Sequence, residues 1–358
     1  MSDTTQNLPE KYKAINEKAA IQRIKEIKKK WGNRLVILGH HYQRKSIVGI
    51  SDFVGDSFEL SRRASELESA DYIVFCGVKF MAESAAILAK PNQKVIHPDV
   101  TAGCPLADFA PLSQVETAWK ELGQIIDTKK VTPVVYVNSN ADLKAFVGTH
   151  HGTTCTSSNA RKAFEWGLAQ SEKVFFFPDR NLGKNTANFL GIPNDEVVVW
   201  NPEIAGGDVT PEAIRRSRVI LWEGYCPPHT WFKKFHVEQA RRNYPDAKLI
   251  VHPECDPGIV ETADGNGSTK FIVDYVQQAP SGSTIIIGTE INLVTRLADE
   301  NPDKTIVPLA KSPCPNMWKI SPGDVLYVLE NLGNVNVVQL SDDVISGARK
   351  ALQQMMKL

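Results

Sequence analysis

Three cysteines in this chain share one local context. Gly103-Cys104-Pro105, Tyr225-Cys226-Pro227 and Pro313-Cys314-Pro315 each place a thiol directly before a proline. Proline fixes the loop and removes an N–H, and a Cys-Pro step also closes a common iron–sulfur ligand run. No C-x-x-C pair is present, which argues against a zinc ribbon, and the C-x₃-C-x₂-C spacing of radical enzymes is missing too. Any shared site must therefore draw its ligands from far apart in the chain. Three thiolates without an obvious fourth suit a [4Fe–4S] cluster with one open iron, a Lewis acid for dehydration rather than an electron carrier. Two other readings stay open: a Cys₃His zinc site using His229, three residues past Cys226, and three unrelated core thiols. Of the remaining cysteines, Cys76 ends an apolar run and reads as packing, and Cys255 reads as buried or supporting. Cys155 lies near a helix start, which would lower its pKa, although a structural position explains it equally well.

The elements that must position these groups repeat three times. Apolar runs at Leu35–Leu38, Val134–Val137 and Leu249–Val251 lead into the polar ends Gly39-His40-His41-Tyr42, Asn138-Ser139-Asn140 and His252-Pro253-Glu254. Each is followed by hydroxyl residues that read as helix N-caps: Ser57, then Ser157, then Ser268-Thr269. A second run follows each helix at Tyr72–Phe75, Val174–Phe177 and Thr284–Ile287, and a third at Lys94–Ile96, Glu196–Val199 and Lys304–Val307. One Cys-Pro step falls late in each repeat. Alternating strands and helices predict an α/β fold of three pseudo-threefold-related domains, each a parallel sheet sandwiched by helices. Ligands then gather at the strands' carboxyl ends, with the active site at the central domain junction. The expected segments are 16–115, 116–225 and 226–340, with a 1–15 tail and a capped closing helix over 341–358.

Composition narrows the class. The 358 residues are 42% hydrophobic, and 41 Lys+Arg balance 41 Asp+Glu, so the basic excess of a nucleic-acid binder is absent. No apolar run reaches the roughly 20 residues of a membrane span, and the polar first residues lack a secretory pattern. The expectation is a cytoplasmic globular protein with neither nucleic acid nor membrane as partner. The Lys- and Arg-rich helix around 21–30 reads as a solvated face over an isoleucine stripe.

Taken together, His40-His41-Tyr42-Gln43, Gly55-Asp56-Ser57, Tyr136-Val137-Asn138, Cys155-Thr156-Ser157-Ser158-Asn159, Pro178-Asp179-Arg180-Asn181-Leu182-Gly183, Cys226-Pro227-Pro228-His229, His252-Pro253-Glu254-Cys255 and Cys314-Pro315-Asn316-Met317 resemble the quinolinate synthase family. The resemblance runs from about residue 35 to 320. It implies condensation of iminoaspartate with dihydroxyacetone phosphate to quinolinate, phosphate and water in NAD biosynthesis. It also implies one [4Fe–4S] cluster per chain, held by Cys104, Cys226 and Cys314, and L-aspartate oxidase as a possible partner. In that frame Tyr42, Tyr136 and Glu254 are the catalytic candidates. His40, Ser57, Asn138, Ser157, His229, His252, Ser268 and Thr269 are the substrate-binding candidates. Asp179 and Arg180 read as a pair cross-linking a domain edge. Cys104 and Cys226 lie 122 residues apart but Cys226 and Cys314 only 88, so the middle repeat is long, with extra residues expected around 147–152.

Overall fold

The computed structural model describes residues 8–358; the first seven residues of the expected tail lie outside it. The described part of that tail forms a short helix, Glu10–Lys13, with Tyr12 buried. Three sheets follow, and within each all strand pairs are parallel. The first contains β1 (Leu35–His40), β2 (Phe53–Gly55), β3 (Tyr72–Cys76) and β4 (Lys94–Ile96), in the order β2-β1-β3-β4. The second contains β5 (Val131–Tyr136), β6 (Thr153–Cys155), β7 (Lys173–Phe177), β8 (Val197–Trp200) and β9 (Val219–Trp222), in the order β6-β5-β7-β9-β8. The third contains β10 (Lys248–Val251), β11 (Gly265–Asn266), β12 (Thr284–Gly288) and β13 (Thr305–Pro308), in the order β11-β10-β12-β13. β1, β5, β7 and β9 are buried along their whole length. That explains their unbroken Val, Ile, Leu and Phe runs: a parallel sheet covered on both faces needs no polar alternation.

Two features depart from the repeat read in the sequence. Each sheet carries a short extra strand, β2, β6 or β11, beside its first strand. With two or three residues, these are too brief to show a period. In the second sheet β9 is inserted between β7 and β8, so the expected third strand pairs with β9 instead of with the second strand. Cys226 follows β9, and the β8–β9 segment accounts for much of the long middle repeat.

Packing divides the chain into two compact units. One comprises the chain up to Cys104 with Glu290–Arg296 and Pro313–Leu340, and holds the first sheet; the other comprises Pro105–Thr289, Leu297–Ser312 and Ser341–Leu358, and holds the second and third. In the first unit the helix Glu17–Trp31 buries Ala20 and Ile24 against Leu35, Ile37 and Val74, leaving its lysines outward as expected except Lys28, which is half-buried and paired with Asp52. In the second unit the helix Asp342–Lys357, capped by Ser341, packs on the helix Ala141–Thr149 and on β6. It thus closes the second sheet rather than the last repeat. The 147–152 stretch has a packing role there: a Cβ on Gly148 would run into the carbonyl of Gly347, so the two helices touch backbone to backbone.

Candidate active site

In the second unit polar side chains converge just beyond the carboxyl ends of its strands, where open parallel sheets bind ligands. Tyr136 ends β5, His252 and Glu254 follow β10, and Thr289 follows β12. Cys226 and His229 belong to the turn and the short helix Pro227–Thr230 after β9. The Tyr136 hydroxyl donates to Oε1 of Glu254, and Nδ1 of His229 lies 2.7 Å from Oε2. An ionised carboxylate only accepts, so His229 carries its proton on Nδ1, and in the neutral ring Nε2 accepts from the Thr289 hydroxyl at 3.0 Å. His252 has the opposite tautomer. Its Nδ1 accepts the Glu254 N–H at 3.3 Å, which leaves Nε2–H to donate to the Ser157 hydroxyl at 3.2 Å. The two rings stack with centroids 4.4 Å apart.

Glu254 is only 2% exposed. Burial disfavours its charge, but His252 and His229, with the hydrogen bonds from His229 and Tyr136, hold it well below the usual carboxylate range. It is a fixed anion that organises two donors. The sulfur of Cys226 lies 3.2 Å from Nδ1 of His229, and Cys226, His229 and Glu254 offer ligand atoms all within 4.8 Å of one another. Asp179, fully buried nearby, behaves oppositely: burial and the charge of Glu254 push its carboxyl well up. It caps the helix Arg180–Phe189 through the Leu182 N–H at 2.7 Å, while Arg180 pairs with Glu223. The expected Asp179–Arg180 pair is therefore replaced by a cap and a separate ion pair, because an aspartate at the N-cap spends its oxygen on the first helical turn.

The other expected residues of this unit lie along the same strand ends. Ser157 precedes the helix Ala160–Gln170, where Asn159 occupies the N-cap, and Ser268 caps the helix Thr269–Gln278 through the Phe271 N–H, with Thr269 as its first residue. Ser157 and Ser268 share a cavity of about 410 Å³ with Arg161 and Lys270 at its wall. Asn138 lies half-buried two residues past β5. Beside it the fully buried ammonium of Lys144 donates to the Ser139 carbonyl.

In the first unit His40 ends β1, and its Nδ1 accepts the Tyr42 N–H at 3.1 Å. The Tyr42 ring stands edge-on to the imidazole at 4.8 Å, and its carbonyl accepts from Asn292 at 2.9 Å. Ser57 is the first residue of the helix Ser57–Glu66, whose cap is Asp56 in a capping box with Glu59. The Cys314 N–H donates to Glu290, a carboxyl that burial pushes up to about 7.

A family model described as "Quinolinate synthetase A protein" matches residues 22–357. This chain belongs to that family. Similar proteins named quinolinate synthase include that of Corynebacterium glutamicum, 46% identical over 358 residues, covering 99% of this chain and 91% of the relative. Those of Herpetosiphon aurantiacus (46%, covering 98% and 95%) and a Geobacillus species (45%, covering 98% and 97%) are similar to it as well.

The donor set fits the cluster that the family resemblance implies. Cys104, Cys226 and Cys314 are only partly buried, whereas Cys76, Cys155 and Cys255 are fully buried, with thiols that burial pushes up. Only the three Cys-Pro thiols are therefore accessible enough to become ligands without opening a core. Cys155 ends β6 instead of activating at a helix start. Sequence reasoning missed Thr289 and Lys144; a polar residue ending β12 was a usable signal for the first, whereas a lysine within a helix gave none for the second. Among the described residues no helix is long and apolar enough to cross a membrane.

Proposed function

We propose that this chain is a quinolinate synthase, a transferase that condenses iminoaspartate with dihydroxyacetone phosphate to give quinolinate, phosphate and water. The observation that carries the reading is the buried Tyr136–Glu254–His229 array beside Cys226, in a member of the quinolinate synthetase A family. We assign Cys104, Cys226 and Cys314 as ligands of one [4Fe–4S] cluster per chain. Such a cluster supplies, when bound, a Lewis acid at its open iron.

The chain's own groups bind, orient and move protons. Hydroxyls of Ser57, Ser157, Ser268 and Thr269 match carboxylate and phosphate oxygens, assisted by N–H groups at the starts of the helices Ala160–Gln170 and Thr269–Gln278. His252 offers its Nε2–H as a donor to an anion, and His40 and Asn138 offer further polar contacts. Because Glu254 is ionised, it draws the Tyr136 hydroxyl proton toward Oε1 and leaves the phenol oxygen more basic. Tyr136 can then take a proton from carbon during ring closure as its own hydroxyl proton passes to Oε1 of Glu254, which returns it later in the cycle, while Tyr42 supplies a second phenol for the isomerisation. His229, bridging Glu254 and Thr289, holds both groups in place and offers its Nδ1–H to the carboxylate. Burial of the array keeps bulk water from reactive imine intermediates. Iminoaspartate is an oxidation product of aspartate, so an L-aspartate oxidase in the same cytoplasm is the supplier we infer.

A second reading has one observation behind it: Cys226, His229 and Glu254 are spaced to hold a single divalent ion such as zinc. Anaerobic purification with iron, sulfide and zinc analysis, followed by addition of both substrates, separates the two. About four iron and four sulfide per chain with quinolinate formed is the expected result. Colourless, zinc-loaded protein that forms no quinolinate contradicts it.

A further inference from the structure

The Pro178–Gly183 motif has so far supplied only a helix cap and a surface ion pair, yet the helix it starts lies between two loops of the site. The helix Arg180–Phe189 is pressed flat on the second sheet, since a side chain at Gly183 would run into Leu221 and Phe176. Its start is tied to the chain leading to Cys226: Asp179 forms a β-bridge with Gly224, and the Arg180 N–H donates to the Gly224 carbonyl at 2.8 Å. Neither its rotation nor its height is adjustable.

From this fixed helix two asparagines, four residues apart and so on one face, reach the strand end that carries Glu254. Nδ2 of Asn185 donates to the carbonyls of Pro253 at 2.8 Å and Cys255 at 2.9 Å. Nδ2 of Asn181 lies 3.4 Å from the Glu254 carbonyl and 3.2 Å from Oδ1 of Asp256. The two amides thus take the three consecutive carbonyls of residues 253, 254 and 255. Such carbonyls, beyond the end of β10, have no sheet partner on that side, and a carboxamide is the side chain whose paired N–H groups match them.

Resting on the function proposed above, we infer that Asn181 and Asn185 are positioning residues that clamp the Pro253–Asp256 loop and thereby set the Glu254 carboxylate against Tyr136 and His229. Both act on the loop that carries Glu254; Asn185 does so from the wall of the cavity that Ser157 and Ser268 share. The same helix start also holds Gly224, so one rigid element sets the Cys226 loop and the Glu254 loop to a common reference.

The test is Asn185→Leu, which keeps the branching at Cγ and removes the donor, with Asn181→Ala as a second variant should the first fail to fold. Each is assayed anaerobically beside the unsubstituted protein, with iron content measured. Displacement of a reacting group by about 1 Å predicts a kcat lower by roughly 10- to 100-fold, with iron content unchanged and KM for dihydroxyacetone phosphate altered less than about threefold. Hydrogen–deuterium exchange supplies a readout that does not depend on turnover: peptides covering 252–256 should exchange faster in the variant, and those covering β1 and β3 should not. A folded, iron-loaded variant with unchanged kcat and unchanged exchange at 252–256 overturns the clamp. An unsubstituted protein that forms no quinolinate overturns the functional reading instead, and leaves the exchange result to decide the clamp.

Discussion

Two strand ends of this molecule are built alike and equipped differently. At the end of β1 in the first unit, and just past β10 in the second, a histidine Nδ1 accepts the backbone N–H two residues on, from Tyr42 in one case and Glu254 in the other. That bond occupies Nδ1 in both and leaves Nε2–H as the outward donor. The residue at the second position then diverges. Tyr42 stands edge-on against its own histidine. Glu254 is a buried anion bonded to Tyr136 and His229, from two other strand ends. A repeated backbone device thus fixes where a group sits, and one substitution at one position decides whether that place holds a neutral phenol or the centre of an ionic network.

Breaking the network should cost more than altering the phenol. The largest effect is expected for Cys226→Ser, which should abolish both iron content and turnover, whereas Cys255→Ser, a buried neighbour of Glu254, should keep its iron; full iron in the first variant would remove Cys226 from the ligand set. Next comes Glu254→Gln. It removes the charge that holds two donors, and kcat should fall by about 10³-fold at unchanged iron content. Comparing the two tyrosines sharpens the contrast: Tyr136→Phe should lose about 10²-fold in kcat and Tyr42→Phe about 10-fold, and the reverse order would undo it.

The smallest effect concerns stability. Glu290 titrates at about 7 in the folded chain against 4.5 ordinarily, so the folded state binds the extra proton, and stability should fall as pH rises between those values and level off above. Glu290→Gln should flatten that slope, a difference of at most about 3 kcal/mol, read as thermal midpoints at about pH 5 and about pH 8. An unchanged slope would show that Glu290 does not carry it.

Much of this was legible in the sequence, for identifiable reasons. Fully buried parallel strands announce themselves as apolar runs, and the polar residues just past Leu38, Val137 and Val251 mark their carboxyl ends. The Cys-Pro context picked out the three partly exposed thiols. Ser268 caps its helix as the sequence predicts, whereas the other two caps fall one residue before Ser57 and two after Ser157, because Asp56 and Asn159, equally good N-cap types, stand beside the hydroxyls. β9 has no counterpart in the repeat, which supplies three strands and leaves the Val219–Trp222 run as a fourth. The asparagine contacts of the helix Arg180–Phe189 join residues about 70 positions apart, and no local pattern reports them.

The difference between the two strand ends rests on Glu254 being ionised, and infrared difference spectroscopy of the unsubstituted protein minus Glu254→Gln reads that state directly. Its folded pKa is depressed, so the carboxylate stretches should persist as pH falls from about 8 to about 4, with no protonated-carboxyl band. A protonated-carboxyl stretch lost on substitution at neutral pH would contradict the fixed anion, and with it the roles proposed for Tyr136 and His229.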